Sequence, residues 1–384
     1  MTKKPKYLTR IDQIPELSDA EKDRLRPVGE KFVFRTNDYY QSLINWEDPN
    51  DPIRQLIVPR EDELDEWGRL DASFEEIYTK VPGLEHKYRD TALLLVNDVC
   101  GAYCRFCFRK RLFMDENDEV VKDVSQGLEY IRAHPEISNV LLTGGDPLIM
   151  STSKLEPVIA KLRDIPHVKI IRIGTKIPAF NPYRILNDPA LGKMLETYST
   201  TKARIYIMAH FNHPVELTDV AREGLDLLHK HGAIIINQTP MIRGVNDSAE
   251  TMLRLFNELS YMGVPPYYVF QCRPTEGNKA YSIPLEQAYQ IFIEAQNQSS
   301  GLAKRARFSM SHVTGKIEVA GLTESQIIFR YHRATDPKNI GRAMVFRRNG
   351  AAHWFDDYEE AAPFRPSMSV GSELPVLQTT AGRC

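Results

Sequence analysis

From Leu93 onward the chain alternates short, continuous apolar runs with longer stretches of helical period. Apolar and β-branched runs predict strands at Leu93–Asn97, Val140–Thr143, Lys169–Ile173, Arg204–Met208, Ala233–Asn237, Tyr267–Gln271 and Arg305–Ser309. The intervening stretches Val120–Ala133, Ser153–Leu162, Pro189–Tyr198, Asp219–His231, Ser248–Tyr261 and Leu285–Gln296 predict helices. Runs that are apolar on both faces fit a parallel sheet covered on both sides. A unit of roughly 30 residues fits serial strand–helix–strand crossovers. The expected fold is α/β, a partial TIM-type (β/α)6 barrel over 86–310. A mostly helical region at 1–85 precedes it, short strands at 311–366 follow, and a small-residue tail at 367–384 is expected to be disordered.

Barrels of this kind carry their chemistry on loops at the C-terminal ends of the strands. Those positions here hold three cysteines after the first strand, Gly144-Gly145-Asp146-Pro147 after the second and Thr175-Lys176 after the third. His210, Asn212 and His213 follow the fourth strand, Gln238 the fifth and Cys272-Arg273 the sixth. Polar and glycine residues thus recur at one end of six consecutive strands, which is the strongest organisational signal in the chain.

The five cysteines are Cys100, Cys104, Cys107, Cys272 and Cys384. An odd number, with three packed into eight residues, does not read as a disulfide framework. The spacing C-x3-C-x2-C reads as a set of ligands. Structural zinc takes four ligands as two close pairs, and no second pair exists. Three thiolates on an iron–sulfur cluster would leave one iron open to a non-protein ligand. The flanking Cys104–Arg111 segment is too polar for a core element. Lys plus Arg count 49 and Asp plus Glu 51, a net charge of −2, which removes the electrostatic argument for nucleic acid or an anionic membrane. No run of ~18 apolar residues is present, and Met1–Arg10 carries no apolar run, so a cytoplasmic protein is expected.

Taken together, the motifs resemble the radical S-adenosylmethionine (SAM) superfamily and, within it, the lysine 2,3-aminomutase family, over roughly Lys87 to Gly321. The strings that carry the resemblance are Cys104-Arg105-Phe106-Cys107-Phe108-Arg109, Thr143-Gly144-Gly145-Asp146-Pro147-Leu148 and His210-Phe211-Asn212-His213-Pro214. They continue with Gln238 followed by Arg243-Gly244-Val245-Asn246-Asp247, then Pro266-Tyr267-Tyr268 and Gly315-Lys316. The resemblance implies that Cys100, Cys104 and Cys107 hold three irons of a [4Fe–4S] cluster and that SAM chelates the fourth. Gly144, Gly145, Asp146, His210 and Gln238 would contact SAM, the glycines by letting the backbone approach it. Lys316, on a loop after the last barrel strand, would form a Schiff base with pyridoxal phosphate (PLP). Lys87 would hold the PLP phosphate together with Arg89, because the family's second basic residue falls on Thr91.

Arg109 would take the substrate carboxylate. Where lysine-specific members have two aspartates, this chain has Arg273 and Ser309. A guanidinium there would repel an ammonium, and relatives that act on glutamate have a basic residue at that position. The expected activity is therefore a 2,3-aminomutase, an isomerase moving an α-amino group to the β-carbon, with an acidic amino acid such as glutamate as substrate. The alternatives are L-lysine or a protein-bound lysine as in the elongation-factor-modifying relatives, and a non-catalytic Fe–S scaffold. Arg273 could instead pair with a nearby carboxylate such as Glu276. A reductant such as flavodoxin or ferredoxin is implied, no zinc is expected because the family's C-terminal zinc cysteines are missing, and a homo-oligomer is left open. Ser311-His312-Val313-Thr314 replaces the family's glycine-rich run before Lys316.

Overall fold

The computed structural model describes residues 3–114 and 119–360; the tail expected at 367–384 lies outside them. Seven parallel strands follow one another across one sheet: β1 (Thr91–Asn97), β2 (Asn139–Gly144), β3 (Ile170–Thr175), β4 (Arg204–Ala209), β5 (Ile234–Pro240), β6 (Pro266–Phe270) and β7 (Arg307–His312). The main helices of the six crossovers, one in each, are α1 (Ser125–Ala133), α2 (Thr152–Arg163), α3 (Pro189–Tyr198), α4 (Asp219–Lys230), α5 (Ala249–Tyr261) and α6 (Leu285–Gln298). The seventh strand continues antiparallel into β8 (Gly315–Leu322), β9 (Gln326–Ala334) and β10 (Ala343–Arg347). On the other side a hairpin, Thr79–Val81 with Leu84–Tyr88, adds antiparallel to β1. β1 and β7 do not pair with each other, so the barrel stays open between these antiparallel flanks.

Local chemistry sets the helix starts. Thr218 caps α4 by accepting from the Ala221 amide, and Ser248 caps α5 by accepting from Thr251. α1 begins at Ser125 rather than at Val120, because the Asp123 carboxylate takes both the Ser125 amide (3.0 Å) and its hydroxyl (2.6 Å), ending the turn before it.

The strands alternate in burial. Val140 and Leu142, Ile171 and Ile173, and Ile205 and Ile207 are buried beneath the helices against Leu128, Leu155, Leu195 and Leu225. Each such side chain contributes roughly 1.5–3 kcal/mol of transfer free energy. Their alternates, among them Leu141, Thr143, Arg172, Gly174 and Gln238, point inward and line a cavity. The barrel interior is therefore a chamber and not the packed core that apolar strand runs imply. A second core joins β6 to β9 with α5 and α6 through Val269, Phe308, Phe329, Phe256 and Phe292. A third binds the N-terminal region to the barrel through Tyr40, Ile53, Leu56, Phe106, Phe180 and Tyr281. No helix among the described residues is long and apolar enough to cross a membrane.

Candidate active site

One cavity of about 390 Å³ runs through the barrel interior. Cys100, Cys104 and Cys107 line one part of it with Gly144, Gly145 and Asp146, and with His210 and Gln238. Lys87, Arg109, Arg273 and Lys316 line the rest. Arg89 and Ser309 do not belong to it. Arg89 is exposed in the turn between Leu84–Tyr88 and β1, with its carbonyl bonded to His86. Ser309 is fully buried in β7, and Ser311, two residues on, is the serine of that strand that reaches the cavity.

The cysteine loop after β1 is pinned by the N-terminal region. Arg35 Nε donates to the Cys100 carbonyl (2.9 Å), Asn37 Nδ2 to the Gly101 and Phe180 carbonyls (3.3 and 2.9 Å), and the Arg105 amide to Leu56 (2.9 Å). The Arg105 guanidinium is buried on Glu63 at 2.7 Å. Burial raises the pKa of all three thiols, so deprotonation must come with the metal. Among the described residues no three His, Cys, Asp or Glu side chains converge on a single ion. A cubane cluster does not ask for that: each cysteine holds a different iron, so the sulfurs stand apart.

Gly144 and Gly145 are needed for a reason that local sequence does not show. A Cβ on Gly144 would stand 2.3 Å from the Asn97 carbonyl oxygen, and one on Gly145 2.4 Å from that of Val99. The two glycines let the loops after β1 and β2 close on each other. The Asp146 carboxylate is engaged within the protein: Oδ2 accepts from Thr175 Oγ1 (2.9 Å), Lys176 N (2.6 Å) and Ile177 N (3.2 Å), and Oδ1 from Leu148 N (2.9 Å). It ties the loop after β2 to the loop after β3, although burial still lifts its pKa to about 6. Beside it, Lys176 Nζ donates to the His210 carbonyl (3.0 Å), Asn212 Oδ1 (2.7 Å) and Glu216 Oε1 (2.5 Å), and Tyr40 donates to the same Glu216 oxygen (2.5 Å). Burial, then the Lys176 charge, hold His210 neutral.

At the other end Arg109 Nε and Nη2 donate to Glu75 at 2.6–3.0 Å, and Nη1 reaches Thr143 Oγ1 at 3.3 Å. Glu75 also accepts from Arg111 at 2.7 Å. It follows Phe74, the sole non-glycine residue of left-handed backbone among the described residues (φ 52°). That turn aims Ser73 and Glu75, its two neighbours, at Arg273 and Arg109. Arg273 donates to Ser73 Oγ and to the Ser311 carbonyl (2.8 Å) and lies over the Phe108 ring at 4.3 Å. No carboxylate is in ion-pair contact with it among the described residues; Glu276 pairs instead with Lys31 at 2.7 Å.

Lys316 is in β8, not on a loop. His312 pairs with Gly315 across a two-residue turn, and a Cβ on Gly315 would meet the Arg333 carbonyl oxygen at 2.3 Å, which explains the Gly-Lys dipeptide. Lys316 pairs in register with Ser311, which also lines the cavity, while Ile317 beside it faces the core, so strand alternation turns the amine inward. It lies 3.9 Å from the Tyr268 ring and 4.6 Å from Phe270. Burial, then Arg172, Arg333, Arg273 and Lys87, drive its pKa well below the usual lysine value, so the amine is a free nucleophile. Arg172 is held by Asn139 Oδ1 (2.8 Å), and Arg333 by Asp90 and by Thr91 Oγ1 (3.0 Å). Lys87, its pKa brought down to about 8 by burial and by Arg273, donates to the His312 carbonyl (2.6 Å).

The Radical SAM superfamily description matches residues 94–256. An Aquifex aeolicus (strain VF5) protein named "Putative L-lysine 2,3-aminomutase" is 58% identical over 371 residues, 96% of this chain and 99% of the relative. This chain belongs to the radical SAM lysine 2,3-aminomutase family. The L-lysine 2,3-aminomutase of Clostridium subterminale is 39% identical, covering 76% of this chain and 71% of its own. The glutamate 2,3-aminomutase of Clostridioides difficile (strain 630) is 34% identical, covering 76% and 68%. Family membership makes the chain an isomerase and brings a [4Fe–4S] cluster, SAM and PLP. The relatives' names favour lysine over the acidic amino acid expected from the sequence.

The residues of this family member fit those groups. Three thiols reach one chamber, and the amine of Lys316, without a hydrogen bond among the described residues, stands inside a ring of cations suited to a dianionic phosphate. Arg172 and Arg333 line the cavity near Lys316, where Arg89 had been expected. They were not found in the sequence because Arg172 sits inside a run read as apolar and Arg333 lies far along the chain. Glu63, Glu75 and Glu85 were missed as well, though three arginines in Arg105–Arg111 signalled that buried carboxylates must meet them.

Proposed function

We propose that this chain moves the α-amino group of a free α-amino acid to its β-carbon, and that the preferred side chain ends in a carboxylate. The carrying observation is Arg273, a half-buried guanidinium in the cavity wall whose polar partners among the described residues are a hydroxyl and a carbonyl. A buried cation without an anion is costly, and a substrate carboxylate relieves that cost whereas an ammonium adds to it.

When bound, the cluster with SAM supplies the hydrogen-abstracting radical, and PLP carries the migrating amino group. The chain's own part is placement. Cys100, Cys104 and Cys107 hold the cluster, while Gly144, Gly145, His210 and Gln238 bound the SAM space. Lys316 offers its unprotonated amine to PLP; Lys87, Arg172 and Arg333 meet the phosphate. Arg109, fixed by Glu75, receives the α-carboxylate, so that the α and β carbons are held in one orientation. Phe106, Phe108 and Tyr268 supply apolar wall that keeps water from the reacting atoms.

A second reading, L-lysine, is supported by the names of most of the relatives. Anaerobic turnover of glutamate, aspartate and lysine with the reconstituted protein separates the two. Glutamate or aspartate turned over faster than lysine, with Arg273→Ala lowering that turnover by about 30-fold or more, the lower end of the ~2–5 kcal/mol lost when one partner of a charge pair is truncated, supports the first reading. Preference for lysine, undiminished in Arg273→Ala, establishes the second. No β-amino product from any amino acid would refute both.

A further inference from the structure

Glu85 lies two residues before Lys87 on the strand Leu84–Tyr88, and both side chains line the cavity. Its Oε1 stands 3.5 Å from Nη2 of Arg109, the nitrogen that also donates to Glu75 at 2.6 Å. The charge around this corner is already spent. Asp71 and Glu119 meet Arg111 at 3.5 and 2.8 Å, and Glu75 lies between Arg109 and Arg111. Lys87, the cation on Glu85's own strand, donates to the His312 carbonyl, and β1 presents only Leu93 opposite. An ionised Glu85 would be a fourth carboxylate against two guanidiniums, beside the place where a substrate carboxylate is to bind. Burial first, then the Glu75 charge, push its pKa up to about 8, with Arg109 and Arg111 opposing and Asp71 adding.

Arg109 by itself is poorly equipped to orient a carboxylate. Nε and one N–H of Nη2 are committed to Glu75, the other N–H of Nη2 faces Glu85 and Nη1 donates to Thr143, which leaves an unshared N–H on Nη1. One contact fixes a position but not an orientation. We propose that Glu85 is a neutral carboxylic acid that completes the substrate site, its O–H donating to one oxygen of the α-carboxylate while Arg109 donates to the other. The proton stays on Glu85 throughout. This rests on the reading above that Arg109 receives the substrate carboxylate.

Two measurements on the reconstituted protein test it. The first is KM against pH, for glutamate or for lysine if that is the amino acid turned over, spanning a unit on either side of the titration near pH 8. Wild-type KM should climb about tenfold per pH unit above that titration, as the donor becomes a repelling anion. Glu85→Gln keeps a neutral donor, so its KM should not follow the titration, and Glu85→Leu should raise KM about tenfold at low pH. The second is melting temperature. A carboxyl raised in the folded state adds stability fully below its unfolded pKa of about 4.3 and loses it as pH rises through 8. Wild type should therefore fall relative to Glu85→Gln across that window.

A pH-independent difference in melting would mean that Glu85 is ionised, and would overturn the proposal whatever the activity. A moving melting difference with identical KM profiles would mean that the neutral acid does not touch substrate, and would also overturn it. An Arg109→Lys variant with wild-type KM would remove the carboxylate assignment itself, and both ideas with it.

Discussion

Replacing Glu75 with Gln tests how the substrate arginine is held. The carboxylate is buried and accepts from two guanidiniums, bidentate from Arg109 at 2.6–3.0 Å and from Arg111 at 2.7 Å. Burial disfavours its charge, but Arg109 and then Arg111 prevail and hold its pKa at about 2. Gln keeps the shape and one acceptor but removes the charge that both cations face. Breaking a buried pair in this way costs about 3–5 kcal/mol, which for a chain of 384 residues corresponds to a melting temperature lower by about 4–6 °C. Arg109 would also lose its fixed direction, at a cost of about 10- to 100-fold in kcat/KM, the scale of a charge-assisted hydrogen bond lost in the transition state. The pH dependence has a definite sign. A depressed carboxyl contributes its full stability above the unfolded value of about 4.3 and loses it as pH falls towards 2. The gap between wild type and Glu75→Gln should therefore be constant near neutrality and shrink in acid. Calorimetry of both proteins through that range, with steady-state kinetics at neutral pH, gives the answer. An equal melting temperature and equal kcat/KM would show that Arg109 does not depend on Glu75.

Iron content provides a second check: Cys100→Ala, Cys104→Ala or Cys107→Ala should lose cluster iron and SAM cleavage, while Cys272→Ala retains both. Loss of iron in Cys272→Ala would break the three-cysteine assignment. For PLP, borohydride should fix a covalent adduct that maps to Lys316 and is absent from Lys316→Ala. Arg333→Ala should weaken PLP binding by about tenfold, the range of one charged hydrogen bond; unchanged PLP affinity in Arg333→Ala would return the phosphate to other residues.

The strand and helix order was legible along the chain, because parallel strands covered by helices must be written as apolar runs and their crossovers as amphipathic periods. The cysteine loop, the Gly144-Gly145-Asp146 loop and Lys316 stood out as local strings too, and the structure brings them to one cavity, with Lys316 on a strand instead of a loop. Local strings could not say what each residue meets. The glycines read as room for a ligand, and the fold shows them accommodating the Asn97 and Val99 carbonyls. Arg172 was hidden because one face of its strand looks into a chamber, and period-two alternation within so short a run is masked by the buried face. Arg89 looked like the missing phosphate ligand by its position near Thr91, but it falls on an exposed turn, and Arg333 reaches Thr91 from about 240 residues away. The pairing of Arg105 with Glu63 and of Arg109 with Glu75 likewise joins segments separated by 42 and 34 residues. Sequence determined that buried cations here need partners, because an unpaired buried charge is costly. Which carboxylates serve, and that Arg273 meets none in ion-pair contact among the described residues, was decided by the tertiary structure, because only closing the N-terminal region over the barrel sets the distances on which Coulomb energy depends.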